Sequence, residues 1–166
     1  MKLHINPDLL QKSTEQTSNL LIVPDDAAHG RNNTRRWAEI VTVSGVNMED
    51  ADKGRTSVEV KFRVSMTSPN AANRGKATRA RFLLNPNASE GSGDYTMTMI
   101  SLSNIQQLLK SAFPDLDLST GLDMDTFFGQ SSPLLGMDVV ATVVDKPDRD
   151  DPTVRRQELQ RFTHLG

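Results

Sequence analysis

From Ser57 to Met66 the chain alternates with a strict period of two. Val58, Val60, Phe62, Val64 and Met66 take every second position, with Ser57, Glu59, Lys61, Arg63 and Ser65 between them. A strand sends successive side chains to opposite faces, so this pattern builds one apolar face and one charged face, and a helix cannot satisfy it. A second extended segment, GKATRARFLL, follows the turn-rich loop SPNAANR. In it Ala80, Phe82 and Leu84 share one face while Arg79 and Arg81 share the other. Paired as a hairpin, the two segments bring Lys61, Arg63, Arg79 and Arg81 together on one outer side.

Charge sharpens the pattern. Between Lys53 and Arg81 stand eight basic residues and one acidic residue, a net +7 in a chain whose total is −2. Arg55, Arg74 and Lys76 lie at the loop ends of the same hairpin. Outward Lys and Arg also guard sheets against unwanted pairing, which accounts for one basic strand. Two adjacent basic strands with a basic loop between them read instead as an anion-binding surface.

At 166 residues the chain is long enough for one domain with a proper core. It contains no cysteine, which excludes disulfides and thiolate metal sites and fits a reducing, cytoplasmic compartment. No apolar run has the length needed to cross a membrane, and the N-terminal stretch lacks the apolar core of a signal peptide.

Residues 1–34 are polar and are expected to form an N-terminal arm or linker, leaving residues 35–166 as the folded domain. Within the arm, Asn6-Pro7-Asp8 has the chemistry of a helix start, through Leu9 and Leu10 towards Asn19. The run Leu20 to Val23, ended by Pro24, is suited to tucking against the core or a neighbouring subunit. Trp37 to Val46 reads as the first strand, with Gly45 marking a bulge or bend. After the basic hairpin and the Gly/Ser-rich stretch NPNASEGSGD comes a short extended piece, Tyr95 to Met99. A helix is expected over Ser101 to Phe113, capped by Ser101 or Ser103 and stopped by Pro114. The acidic region 115–132 is irregular, with one helical turn at Met124 to Phe128. Gly136 to Asp145 and Thr153 to His164 complete the strands. The fold class is therefore mainly β with one or two helices. Its order β-β-β-α-β-β is that of an OB-like five-stranded Greek-key barrel.

Catalytic chemistry has little support. His4, His29 and His164 are scattered and, without cysteine, match no common zinc pattern. Arg74 to Thr78 lacks the earlier glycine of a phosphate loop and leads into a strand instead of a helix. Asp115, Asp117, Ser119 and Gly121 begin like a calcium loop, but the glycine falls one position late and Thr126 stands where glutamate is needed. No catalytic residue, metal or cofactor is assigned.

Binding chemistry is better represented. An OB-type barrel takes oligonucleotides across its second and third strands, where this chain concentrates its basic residues. Single-strand binding uses cations for phosphates and flat side chains for bases. Lys61, Arg63, Arg79 and Arg81 supply the first, with Arg55, Arg74 and Lys76 around them. Trp37, beside Arg35 and Arg36, is the first stacking candidate, although a lone Trp on a strand is more often core. Tyr95 and Phe162 follow. Phe62 and Phe82 belong to the apolar face, and Arg155, Arg156 and Arg161 extend the basic track or are simply exposed.

From Trp37 to His164 the chain resembles the phage-encoded OB-fold single-stranded-DNA-binding proteins found among replication and recombination genes. The resemblance rests on WAEIVTVSGV, VEVKFRV, RARFLLNP, the helix SNIQQLLKSAF, LLGMDVVATVV and a polar final strand. It implies non-enzymatic, sequence-independent binding of single-stranded DNA in replication, recombination or repair, in the host-cell cytoplasm. Implied partners are single-stranded DNA, further copies of the chain, and replication or recombination proteins. The chain departs from the bacterial members by ending QRFTHLG instead of in an acidic tail, which puts partner recruitment through such a tail in doubt.

Two other readings stay open. One is an interaction or assembly protein, a virion component or an inhibitor of a host defence enzyme, whose basic face meets an acidic protein surface. Residues Phe82 to Asp151, with three basic and eleven acidic side chains, offer such a surface on a neighbouring copy. The other is a metal-dependent nuclease using Asp115, Asp117, Asp123 and Asp125.

Overall fold

A computed structural model describes residues 3–8 and 20–166. The chain forms β1 (Ala28–His29), β2 (Arg35–Asp50), β3 (Thr56–Val64), β4 (Ala77–Leu84), α1 (Gly93–Ala112), α2 (Met124–Phe128), β5 (Asp138–Pro147) and β6 (Arg155–His164). All strand pairs are antiparallel, in the order β4-β3-β2-β5-β6, with β1 paired to the start of β2. This is a mainly β fold with the OB-like strand order that the sequence predicts.

The long β2 organises the sheet. Its first half, Arg35 to Thr42, pairs with β5, and its second half, Val41 to Asp50, pairs with β3. The register shifts between Val43 and Gly45, so the expected irregularity at Gly45 is a bulge that lets one strand serve two neighbours. Beyond the end of β3 the loop continues the ladder: Ser65 N–H donates to Ile40 O at 2.8 Å, and Ser68 Oγ accepts from Ile40 N–H at 3.0 Å.

The sheet is curled but open. Phe62 on β3 and Phe162 on β6 lie three strand steps apart, ~14 Å on a flat sheet. Their ring centroids are 5.7 Å apart and nearly stacked. The inner faces of the two strands therefore meet across the interior. No ladder joins β4 to β6. Instead α1 packs on β4, β5 and β6, sending Ile105, Leu108, Leu109 and Ala112 into a core with Val41, Val43, Val58, Val60, Phe82, Val139, Ala141 and Val143.

Three expectations need correction. Tyr95 to Met99 is helical, because α1 starts at Gly93, well before Ser101. The cap is Ser92, whose Oγ accepts from Tyr95 N–H at 3.2 Å, with Asp94 in the first turn; a hydroxyl cap followed by an acidic residue suits a helix N-terminus. Met66 lies past the end of β3 and is 71% exposed, so it does not join the apolar face.

Within the stretch expected as an arm, Leu21 and Ala27 belong to the core. The side chain of Asn73 brackets Ile22, accepting from its N–H at 2.7 Å and donating to its O at 2.8 Å. Gln157 holds Leu21 in the same way. Asn6 accepts from Asp8 N–H at 2.8 Å, as an N-cap does; the helix expected through Leu9 and Leu10 to Asn19 lies outside the described residues. Among the described residues no helix is long and apolar enough to cross a membrane.

Candidate nucleic-acid interface

Strand alternation fixes which side chains face outward. Val58, Val60, Phe62 and Val64 of β3 are buried, as are Ala80, Phe82 and Leu84 of β4, while Lys61, Arg63, Arg79 and Arg81 are exposed. The register places Lys61 directly opposite Arg79, Arg63 opposite Ala77 and Glu59 opposite Arg81. On the other side, Gly45 of β2 pairs with Lys61 and Thr42 pairs with Arg63. The sequence-predicted quartet thus shares one surface, with two cations in direct cross-strand opposition.

Each arginine is steadied at one nitrogen. Arg63 Nη1 donates to Gly75 O at 2.8 Å and Arg81 Nε donates to Ser57 Oγ at 3.0 Å. Arg79 Nη1 lies 3.3 Å from Glu59 Oε2, yet its side chain stays 71% exposed. Three of the guanidinium groups therefore keep donors directed at solvent, as a polyanion requires. Like charges directly opposite in a sheet are unfavourable, so the Lys61–Arg79 row costs the fold stability and is eased by a bound anion.

The remaining candidates are distributed differently. Arg55 is engaged by Asp94 at the start of α1, with Nη2–Oδ1 at 2.6 Å and Nε–Oδ2 at 3.2 Å. Asn85 also donates to Asp94 Oδ2 at 2.9 Å. The Arg55 hydrogen bond, helped by that of Asn85, holds the Asp94 carboxyl down at about 2, and Arg55 is itself raised by its bond to Asp94. Arg55 is thus a tether between β3 and α1, apart from the outer quartet. Arg74 Nε donates to Ser68 O at 2.7 Å, and Lys76 follows it at the rim of the same loop.

The aromatic candidates do not meet this surface. Trp37 is 8% exposed, its indole N–H donating to Glu39 at 2.9 Å. Its inward phase on β2 puts it in the core. Tyr95 is half-buried in the first turn of α1. Phe162 stacks on Phe62 inside, Phe82 and Phe128 are buried, and Phe113 and Phe127 pack against each other with centroids 6.1 Å apart.

One feature escaped the sequence reading. Glu39 is fully buried and accepts from four neutral donors: Trp37 Nε1, Ser68 Oγ, Asn70 Nδ2 at 2.6 Å and Asn73 Nδ2 at 3.1 Å. A buried carboxylate is tolerable only when so satisfied. Its bonds fasten the β3–β4 loop, which carries Arg74 and Lys76, onto β2. The signal was present, since Glu39 is in phase with inward Trp37, Val41 and Val43. Asp145 is its counterpart on β5. At 3% exposure, it is held by Arg155 (Nε–Oδ1 2.7 Å) and by Gln157 at 2.8 Å. Arg155 is therefore a structural partner, while Arg156 and Arg161 are exposed.

In the acidic region, Asp123 accepts from Asp125 N–H and Thr126 Oγ1, capping α2. Asp117 accepts from Ser119 N–H, which draws its carboxyl below the usual range. Among the described residues no three His, Asp or Glu side chains are grouped closely enough to hold a metal ion. A comparison with protein-family models found no match to this chain, and a comparison with curated proteins found none either.

Proposed function

We propose that the protein binds single-stranded DNA without regard to sequence and performs no chemistry on it. The observation that carries this reading is the outer face of β3 and β4, where Lys61 opposes Arg79 and where Arg63 and Arg81 flank the pair. An OB-like sheet presents oligonucleotides with this surface, and the exposed guanidinium donors fit a phosphate chain. A role in replication, recombination or repair of phage DNA, in the host cytoplasm, accompanies this proposal.

The test is a fluorescence-anisotropy titration of labelled poly-dT at low and moderate salt, with duplex DNA as control. Affinity for the single strand is expected to fall steeply with salt. Replacing Arg79 and Arg81 together with Ala removes two phosphate contacts. This should weaken binding and reduce the slope of log affinity against log salt by about 1.4. Binding unaffected by the double substitution in a folded protein would refute the reading. Failure of the parent protein to bind any nucleic acid would turn attention to an acidic protein partner, and nucleic-acid cleavage abolished by a chelator would turn it to the acidic region.

A further inference from the structure

We infer that this face recognises phosphates alone, so that the bases of the bound strand contribute almost nothing to affinity. The inference rests on the single-strand-binding reading and narrows it to a ligand class: a flexible polyphosphate chain.

The outward positions of the three adjoining strands support it. Around Lys61, Arg63, Arg79 and Arg81, β2 contributes Thr42, Gly45, Asn47 and Glu49, β3 contributes Ser57 and Glu59, and β4 contributes Ala77 and Leu83, with Glu59 already paired to Arg79. Every aromatic ring of the chain is committed elsewhere, to the core or to the helical layer, as described above. Base stacking needs a flat side chain held against the strand, and this surface offers cations, two carboxylates and small or aliphatic side chains instead.

Gly45 strengthens the case. A Cβ placed there would meet the Lys61 side chain at 3.6 Å, so the lysine stem lies along the bulge. At this point β2 presents only main chain beside the lysine stem. With no side chain of its own, Gly45 gives the strand neither a ring nor a side-chain hydrogen-bonding group for a base at this position. Arg63 and Arg81 are fixed by Gly75 O and Ser57 Oγ, so the donors are set in place before the ligand arrives.

Titration of two labelled oligomers of about 20 units provides the test, a length that exceeds the usual site of one OB domain. One is oligo-dT; the other is an abasic chain with the same number of phosphates. Since a single stacked base is worth about fivefold or more, the two affinities are expected to agree within that factor at low salt. They should also fall together in the Arg79→Ala, Arg81→Ala variant. Oligo-dT binding more than about fivefold tighter would overturn the inference while leaving single-strand binding intact. Abasic binding that the double substitution leaves unchanged would overturn it as well. If neither oligomer binds, the reading on which it rests fails too.

Discussion

The side chains of the basic face are arranged at a cost to the fold. Lys61 and Arg79 face each other across two strands, where opposite charges or a Thr pair would stabilise the hairpin. Removing one cation should separate stability from binding. Lys61→Thr places an uncharged, β-branched polar residue on the outer face and is expected to raise Tm by ~1–3 °C, corresponding to under about 1 kcal/mol. The same variant should bind poly-dT more weakly. A loss of both stability and binding would show that Lys61 is structural. The Arg55–Asp94 pair behaves differently with pH. The Asp94 carboxyl is held at about 2 in the folded chain against an ordinary 3.8, so the pair adds stability above pH 3.8 and loses it as pH falls towards 2. Thermal midpoints of the parent and Asp94→Asn should therefore differ at neutral pH and converge between pH 4 and pH 2. A gap that persists unchanged at the acid end would assign the effect to something other than this ionisation.

At the scale of elements, the loop between β3 and β4 carries Arg74 and Lys76, and it owes its position to a carboxylate on another strand. Glu39 joins Ser68, Asn70 and Asn73 to β2, and Asn73 in turn brackets Ile22. Glu39→Gln preserves the side-chain shape but replaces one acceptor oxygen with a donor facing other donors. The expected loss is about 1–3 kcal/mol, seen as a lower urea midpoint with an unchanged m value. It should be accompanied by faster amide exchange in residues 65–76. Unaltered exchange there would refute this role for Glu39. The faces of β2, β3 and β4 were legible in the sequence because a period of two says which side chains point inward, and Glu39 itself obeys that rule. The start of α1 was harder to read. The segment Tyr95 to Met99 alternates Thr and Met, and only the capping chemistry of Ser92 and Asp94 marks it as helical. Arg55 could not be separated from the basic quartet in advance, because its partner Asp94 lies 39 residues away and meets it only through the packing of α1 on the sheet. Trp37 was legible both ways, as core and as platform, and its burial follows from sharing the phase of Val41 and Val43.

For the whole molecule, the open sheet needs something other than a closing ladder to fix its curvature. Phe162 meets Phe62 across the interior, and α1 covers the gap between the edge strands β4 and β6. This contact joins the final strand to the basic hairpin, so the curled outer face rests on packing between distant parts of the chain. Curling brings apolar side chains of both halves together, and at 0% and 4% exposure the two rings lie near the centre of that burial. Phe162→Ala removes one ring and leaves a cavity against the other, with an expected loss of about 3–5 kcal/mol. The urea midpoint should fall in a single transition, since one core serves all the strands. Binding should respond separately. Under conditions where the variant remains folded, its affinity for poly-dT is expected to match the parent, because the ring points inward and touches none of the outer cations. Reduced affinity in the folded variant would mean that the basic surface depends on the curvature set by the Phe62–Phe162 stack, and that the shape of the face contributes to recognition along with its charge.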